Sequence, residues 1–170
     1  MKEKDILKRA QALQPELVAM RRELHQLAET AFDLPRTITY VKEKLIEIGL
    51  EPSDCGKAGV VATIGTGSPV LLLRSDMDAL PMKDESGLPF ASAGESCHAC
   101  GHDMHMAMLL GAARILKEHE DELRGTVKFM FQPAEELMRG AADMVEGGVL
   151  ENPKVDAAMA LHVYSGQEDF

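Results

Sequence analysis

Apolar residues in the first fifty positions recur at helical spacing. Ile6, Leu7, Ala10, Leu13, Leu17, Met20, Leu24 and Leu27 fall three or four apart, the stripe of an amphipathic helix over 6–27. Pro15 lies inside that stripe and predicts a break or a fresh first turn there. A second helix is expected to start at Pro35, bury Ile38, Val41, Leu45 and Ile48, and close at Gly49. The period then changes. Val60 to Ile64 and Val70 to Leu73 are short apolar runs between Gly, Ser and Pro, the pattern of buried strands. Residues 76–101 read as loop, and Met104, Met108, Leu109, Ala112, Ile115 and Leu116 mark another helix. The Met-rich stretch from Met104 to Met108 is read as core. Thr126 to Phe131 predicts a strand, Ala134 to Glu146 a helix, and Val155 to Val163 a last strand. Strands alternating with helices indicate an α/β architecture, a mainly parallel sheet flanked by helices.

Composition narrows the function. The 170 residues are 45% apolar, enough for a sizeable core. Eighteen basic against 28 acidic residues give a net charge of −10, a surface that repels nucleic-acid phosphates and anionic membranes. With no Trp and only 4% aromatics, base-stacking platforms are not expected. No run approaches the roughly 18 apolar residues of a membrane span. The opening residues lack a signal-peptide stretch, and three cysteines fit reduced thiols. A cytoplasmic protein is the expectation.

In parallel sheets functional groups gather beyond the carboxyl ends of strands. Four polar clusters fall at or just after predicted strand ends: Arg74 to Asp78, His98 to His105, Gln132 to Glu136, and Leu161 to Val163. His98, Cys100, His102 and His105 lie within eight residues, with Cys97 adjoining. Thiolate and imidazole suit a borderline divalent ion such as Zn²⁺, and Gly101 permits a tight path between Cys100 and His102. Cys97 and Cys100 also form C-x-x-C, the spacing of a thiol-redox protein. Adjacent Glu135 and Glu136, read at a helix start, can divide metal binding from proton transfer. Asp76 and Asp78 point to opposite sides of an extended strand, and one can orient an imidazole. His162, at a strand end, is a candidate ligand beside such a loop. His25 and His119 are read as solvated or partly buried helix residues.

The runs Leu73 to Pro81, His98 to His105, Gln132 to Glu136 and Leu161 to Val163, in one order, resemble the M20 family of metallopeptidases. The nearest branch holds N-acyl-amino-acid amidohydrolases, hippurate hydrolases and indole-acetyl-amino-acid hydrolases. Arg21-Arg22-Glu23-Leu24-His25 resembles that branch's opening helix, although Ala28-Glu29 stands where it has Pro-Glu. Cys97 is likewise not a usual residue of the family.

The resemblance implies metal ligands at Cys100, His102, Glu136 and His162, a general base at Glu135, and Asp78 orienting a ligand. Asp76 stands where other branches carry a metal-binding His, and Cys100 then supplies the ligand instead. His105 matches no ligand. The implied cofactor is a pair of divalent ions (Zn, Mn or Co), and the implied substrate an N-acyl amino acid or small peptide-like amide. Family members are longer, so residues 1–170 are expected to be the N-terminal part of the catalytic domain. The lid or dimerisation domain and the C-terminal half, with a further His ligand, are expected to lie outside these residues. The expected partners are a second copy or a complementing C-terminal half. Alone, the chain is expected to expose the edge of its last strand, to bind an ion weakly and to be inactive. The competing readings are a non-catalytic metal-binding fragment and the C-x-x-C redox protein.

Overall fold

The structure, a computed structural model, describes residues 3–164 and 166. Helix α1 (Glu3–Leu27) runs unbroken through Pro15. Proline removes the N–H that would meet the Gln11 carbonyl, but both residues lie on the exposed side, where water satisfies that oxygen. Leu13 before the proline, and Met20 and Leu24 after it, stay buried and hold the axis. Helix α2 (Pro35–Ile48) begins at Pro35 and ends at left-handed Gly49, whose N–H donates to the Ile46 carbonyl while the Leu50 N–H donates to that of Leu45. Its N-terminus lacks a side-chain cap from Leu34. Glu29 does that work from outside, accepting from the Thr37 N–H at 2.9 Å and the Arg36 N–H at 3.3 Å.

Five strands follow: β1 (Ser53–Cys55), β2 (Gly59–Thr66), β3 (Val70–Asp76), β4 (Gly125–Gln132) and β5 (Ala157–Ala160), in the spatial order β1-β2-β4-β3-β5. β4, β3 and β5 run parallel, whereas β2 is antiparallel to β4 and β1 to β2. The α/β architecture is as expected, but the sheet is mixed. The reversal lies in β2, which runs antiparallel to β4 along its length, and strand direction is not carried by a periodic signal.

Period two divides the strands between two cores. Val60, Ala62, Ile64, Phe129 and Phe131 face α1, α2 and α3 (His102–Glu118), packing with Leu24, Val41, Leu45, Met106 and Leu110. Val61, Leu72 and Met130 face the other way, against Met144 of α4 (Gly140–Glu146) and Val149. Lys128 belongs to that second face and is buried there. Its ammonium donates to the carbonyls of Val149, Glu151 and Pro153 at 2.9, 2.8 and 3.0 Å.

Two elements are shorter than predicted. Residues 134–139 form a turn, and α4 starts only at Gly140. Ala134 and Met138 adopt left-handed φ of 49° and 55°, which a helix excludes. Gly140 presses against the Pro133 carbonyl, where no Cβ fits. β5 covers only four of the nine residues from 155 to 163, because its ladder with β3 ends at the Arg74–Ala160 pair. β5 is an edge strand whose four residues are all exposed, as expected. Of the methionines read as core, Met106 is buried, while Met104 and Met108 are partly exposed. No helix among the described residues is long and apolar enough to cross a membrane.

Candidate metal centre

The carboxyl ends of β3, β4 and β5 and the start of α3 meet at one place. Gly101 precedes α3 with a left-handed φ of 85°, and Val163 occupies the space a Cβ would need. That turn sends His102 inward, where it is fully buried. His102 Nδ1 lies 2.7 Å from the Asp78 carbonyl oxygen, which only accepts, so Nδ1 carries the hydrogen and Nε2 is the free nitrogen. Nε2 is buried without a hydrogen-bond partner. Around it stand oxygens of Asp76 at 3.6 Å and of Glu135 and Glu136 at 3.7 Å each. Glu136 Oε1 is itself buried and unpartnered. Cys100 Sγ lies 3.5 Å from His162 Nε2. Among the described residues, three groups have ligand atoms within 4.8 Å of one another: Cys100, His102 and His162; His102, Glu135 and Glu136; and Asp76, His102 and His105. Two buried, unpartnered acceptors, His102 Nε2 and Glu136 Oε1, converging with further carboxylate oxygens on one gap are the surroundings a cation fits.

The turn that displaced the expected helix start explains the two glutamates. Asp78 Oδ1 accepts the Glu135 N–H at 2.8 Å, and Oδ2 the Glu136 N–H at 3.2 Å. Glu135 and Glu136 are therefore aimed by a β3 loop carboxylate and not by a helix N-terminus, which corrects the sequence expectation. Asp78 holds His102 through its backbone carbonyl and the turn through its carboxylate.

The charges are crowded. Burial raises the Asp78 pKa above the usual carboxylate value despite the two N–H bonds. Burial acts the same way on Asp76, but the His105 hydrogen bond and the nearby His102 and Arg74 outweigh it, and its pKa is lowered. Burial together with Glu136 and Glu135 pushes the Cys100 thiol up to about 11. A cation at the site reverses that last effect and favours the thiolate. Cys97 is buried, and burial raises its pKa too. Neither cysteine of the C-x-x-C pair has the lowered pKa of a redox-active thiol.

Two arrangements were not legible in the sequence. His105, one turn after His102, points its ring at Asp76; the i, i+3 spacing on one helix face was the available signal. His25 is buried, contrary to the expectation, with Nδ1 2.6 Å from Asp103 and Nε2 2.9 Å from Asp84. It ties α1 to the start of α3 and to the long loop. His119 remains partly exposed beside Glu122.

Residues 72–169 match the family model "Peptidase family M20/M25/M40", more than half of the chain. The chain belongs to this family. M20 relatives include the N-acetyl-L-cysteine deacetylase of Bacillus subtilis, 43% identical over 88% of this chain and 36% of its own length. The IAA-amino acid hydrolase ILR1-like 5 of Arabidopsis thaliana is 44% identical over 86% of this chain and 34% of its own length. A crystal structure of the Bacillus subtilis YXEP protein, described as a dinuclear metal-binding peptidase of the M20 family, superposes with a TM-score of 0.84. It is 41% identical and covers 89% of this chain and 43% of its own. The chain thus spans between a third and a half of the M20 proteins it matches.

Proposed function

We propose that residues 1–170 form the N-terminal part of the catalytic domain of a metal-dependent amidohydrolase. The reaction is hydrolysis of the amide bond of N-acyl amino acids or small peptide-like amides. The observation that carries this reading is His102 Nε2, buried and unpartnered, facing three carboxylates beside the Cys100–His162 pair. The printed activities of the relatives, a deacetylase and an amino acid hydrolase, support the substrate class.

In this reading Cys100, His102, Glu136 and His162 hold divalent metal, as a pair of Zn, Mn or Co ions completed by a ligand outside this chain. Bound metal supplies Lewis acidity toward water and the amide carbonyl. Asp78 keeps His102 in the tautomer whose Nε2 is free, and fixes the turn that presents Glu135. The Glu135 carboxylate takes a proton from the attacking water and returns it to the amine as the amide C–N bond breaks. The remainder of the catalytic domain and a lid or dimerisation domain are the partners, in the same or a second polypeptide. The free cysteines suit a reducing cytoplasm.

Glu135→Gln tests the assignment in the polypeptide as the cell makes it. The variant is expected to keep its metal while hydrolysis of N-acetyl and N-benzoyl amino acids falls roughly 10²–10⁴-fold. Retained turnover would reject Glu135 as the base.

A further inference from the structure

His105 is hydrogen-bonded at both ring nitrogens and has no role in the chemistry above. A backbone N–H only donates, and the Val163 N–H points at His105 Nε2 at 2.9 Å. Nε2 is therefore the acceptor, and the ring hydrogen sits on Nδ1, 2.7 Å from Asp76 Oδ1. The other Asp76 oxygen takes Arg74 Nη1 at 2.8 Å, and Arg74 Nε donates to Gln132 Oε1 at 2.9 Å. A continuous chain of hydrogen bonds thus runs from the end of β4, through β3 and α3, to the residue after His162.

The far end of this chain is where support is needed. The β3–β5 ladder stops at Ala160, and Leu161 and His162 are exposed. Beyond the ladder the His162 imidazole is tied to the next residue, Nδ1 donating to the Val163 carbonyl at 2.5 Å, with Nε2 3.5 Å from Cys100 Sγ, so the place of Val163 sets that of the ring. The His105 ring packs edge-on to the His162 ring, centroids 4.5 Å apart, and lies 5.4 Å from that of His102.

We propose that His105, fixed by Asp76 and Arg74, is a positioning residue that places His162 for metal binding by accepting the Val163 N–H. This rests on the reading of Cys100, His102 and His162 as ligands. His105 is not itself a ligand, because its one lone pair is already committed. Groups that orient ligands in this way are worth about 10–100-fold in metal affinity.

The test uses Zn²⁺ binding by the 170-residue chain, measured by competition with a chromophoric chelator well below the melting temperature. His105→Phe keeps the ring volume and loses the acceptor, and is expected to weaken Zn²⁺ about 10–100-fold. His105→Gln offers a carbonyl oxygen to the Val163 N–H and is expected to recover most of that loss. A merely structural role would lower the melting temperature of both variants and leave affinity unchanged. Imidazole ¹⁵N spectra of the unmutated chain give a second readout should His105→Phe fail to fold. They are expected to show His105 protonated at Nδ1 only, with Nε2 unchanged on adding Zn²⁺. Affinity of His105→Phe within about twofold of the parent would overturn the proposal, as would zinc on His105 Nε2 or a hydrogen there. In those cases Zn²⁺ binding by the parent leaves the site reading standing. A parent that binds no Zn²⁺ overturns both.

Discussion

Asp78 joins the two halves of the site, and removing its carboxylate gives a prediction with a calculable size. The side chain is 1% exposed and accepts two backbone N–H groups, from Glu135 and Glu136. A buried donor left without a partner costs roughly 1–3 kcal/mol. Asp78→Ala orphans both donors, so about 2–4 kcal/mol is expected, discounted because the turn is only part-buried. Asp78→Asn keeps one oxygen and sets an NH₂ group against the second N–H, orphaning one donor. Burial disfavours the Asp78 charge, so losing it returns part of that cost. The expected loss for Asp78→Asn is therefore about 1–2 kcal/mol, half that of the alanine variant. Urea unfolding of the metal-free chain measures both, read as a shift in midpoint at unchanged m-value. If both variants unfold within about 0.5 kcal/mol of the parent, within the range of ordinary surface substitutions, the carboxylate does not hold the turn. An asparagine costlier than the alanine would show that the loss lies elsewhere.

Two further substitutions probe the frame around the site. The Glu29 pKa is lowered because hydrogen bonds from Thr37 and Arg36 outweigh burial. Its contribution is present above the unfolded value of 4.5 and is lost as pH falls through the folded value. Glu29→Gln is expected to cost about 1 kcal/mol at pH 6, and the gap to the parent in urea midpoint is expected to close toward pH 3. A gap independent of pH would contradict the cap. Lys128→Met leaves three carbonyls of the 149–153 segment without their donor and is expected to destabilise by roughly 2–4 kcal/mol. A melting temperature equal to the parent's would show that the buried ammonium is dispensable.

Much of this was legible in the chain because the helices and central strands carry long periodic signals. α2 begins at Pro35 and ends at Gly49 as the local chemistry of those residues dictates. The approach of residues 76–78, 135–136 and 162 followed from strand ends, and that of 100–105 from the loop that opens α3. The failures have a common cause. Pro15 costs the helix a hydrogen bond and crowds the Gln11 carbonyl, and α1 runs on because burial of Leu13, Met20 and Leu24 outweighs that cost, which tertiary packing decides. Ala134 to Arg139 has helix-forming composition, yet Asp78, 57 residues away from Glu135, takes the N–H groups into a turn. β2 was legible as a strand, but the antiparallel pairing with β4 that makes the sheet mixed is a long-range choice that local pattern does not carry. His25 read as an ordinary helix residue, and His105 as a cluster member without a ligand role, because their partners, Asp84, Asp103 and Asp76, are brought in by the fold.

The central claim, that Cys100 and His102 belong to one metal centre, is tested most directly by cobalt. Co²⁺ added anaerobically to the chain is expected to give a sulfur-to-cobalt charge-transfer absorption, because a thiolate is among the ligands. That band is expected to vanish in Cys100→Ser, to weaken in His102→Gln, and to persist in Cys97→Ser. No cobalt bound by the parent, or a band that follows Cys97 and survives the loss of Cys100, would contradict the account.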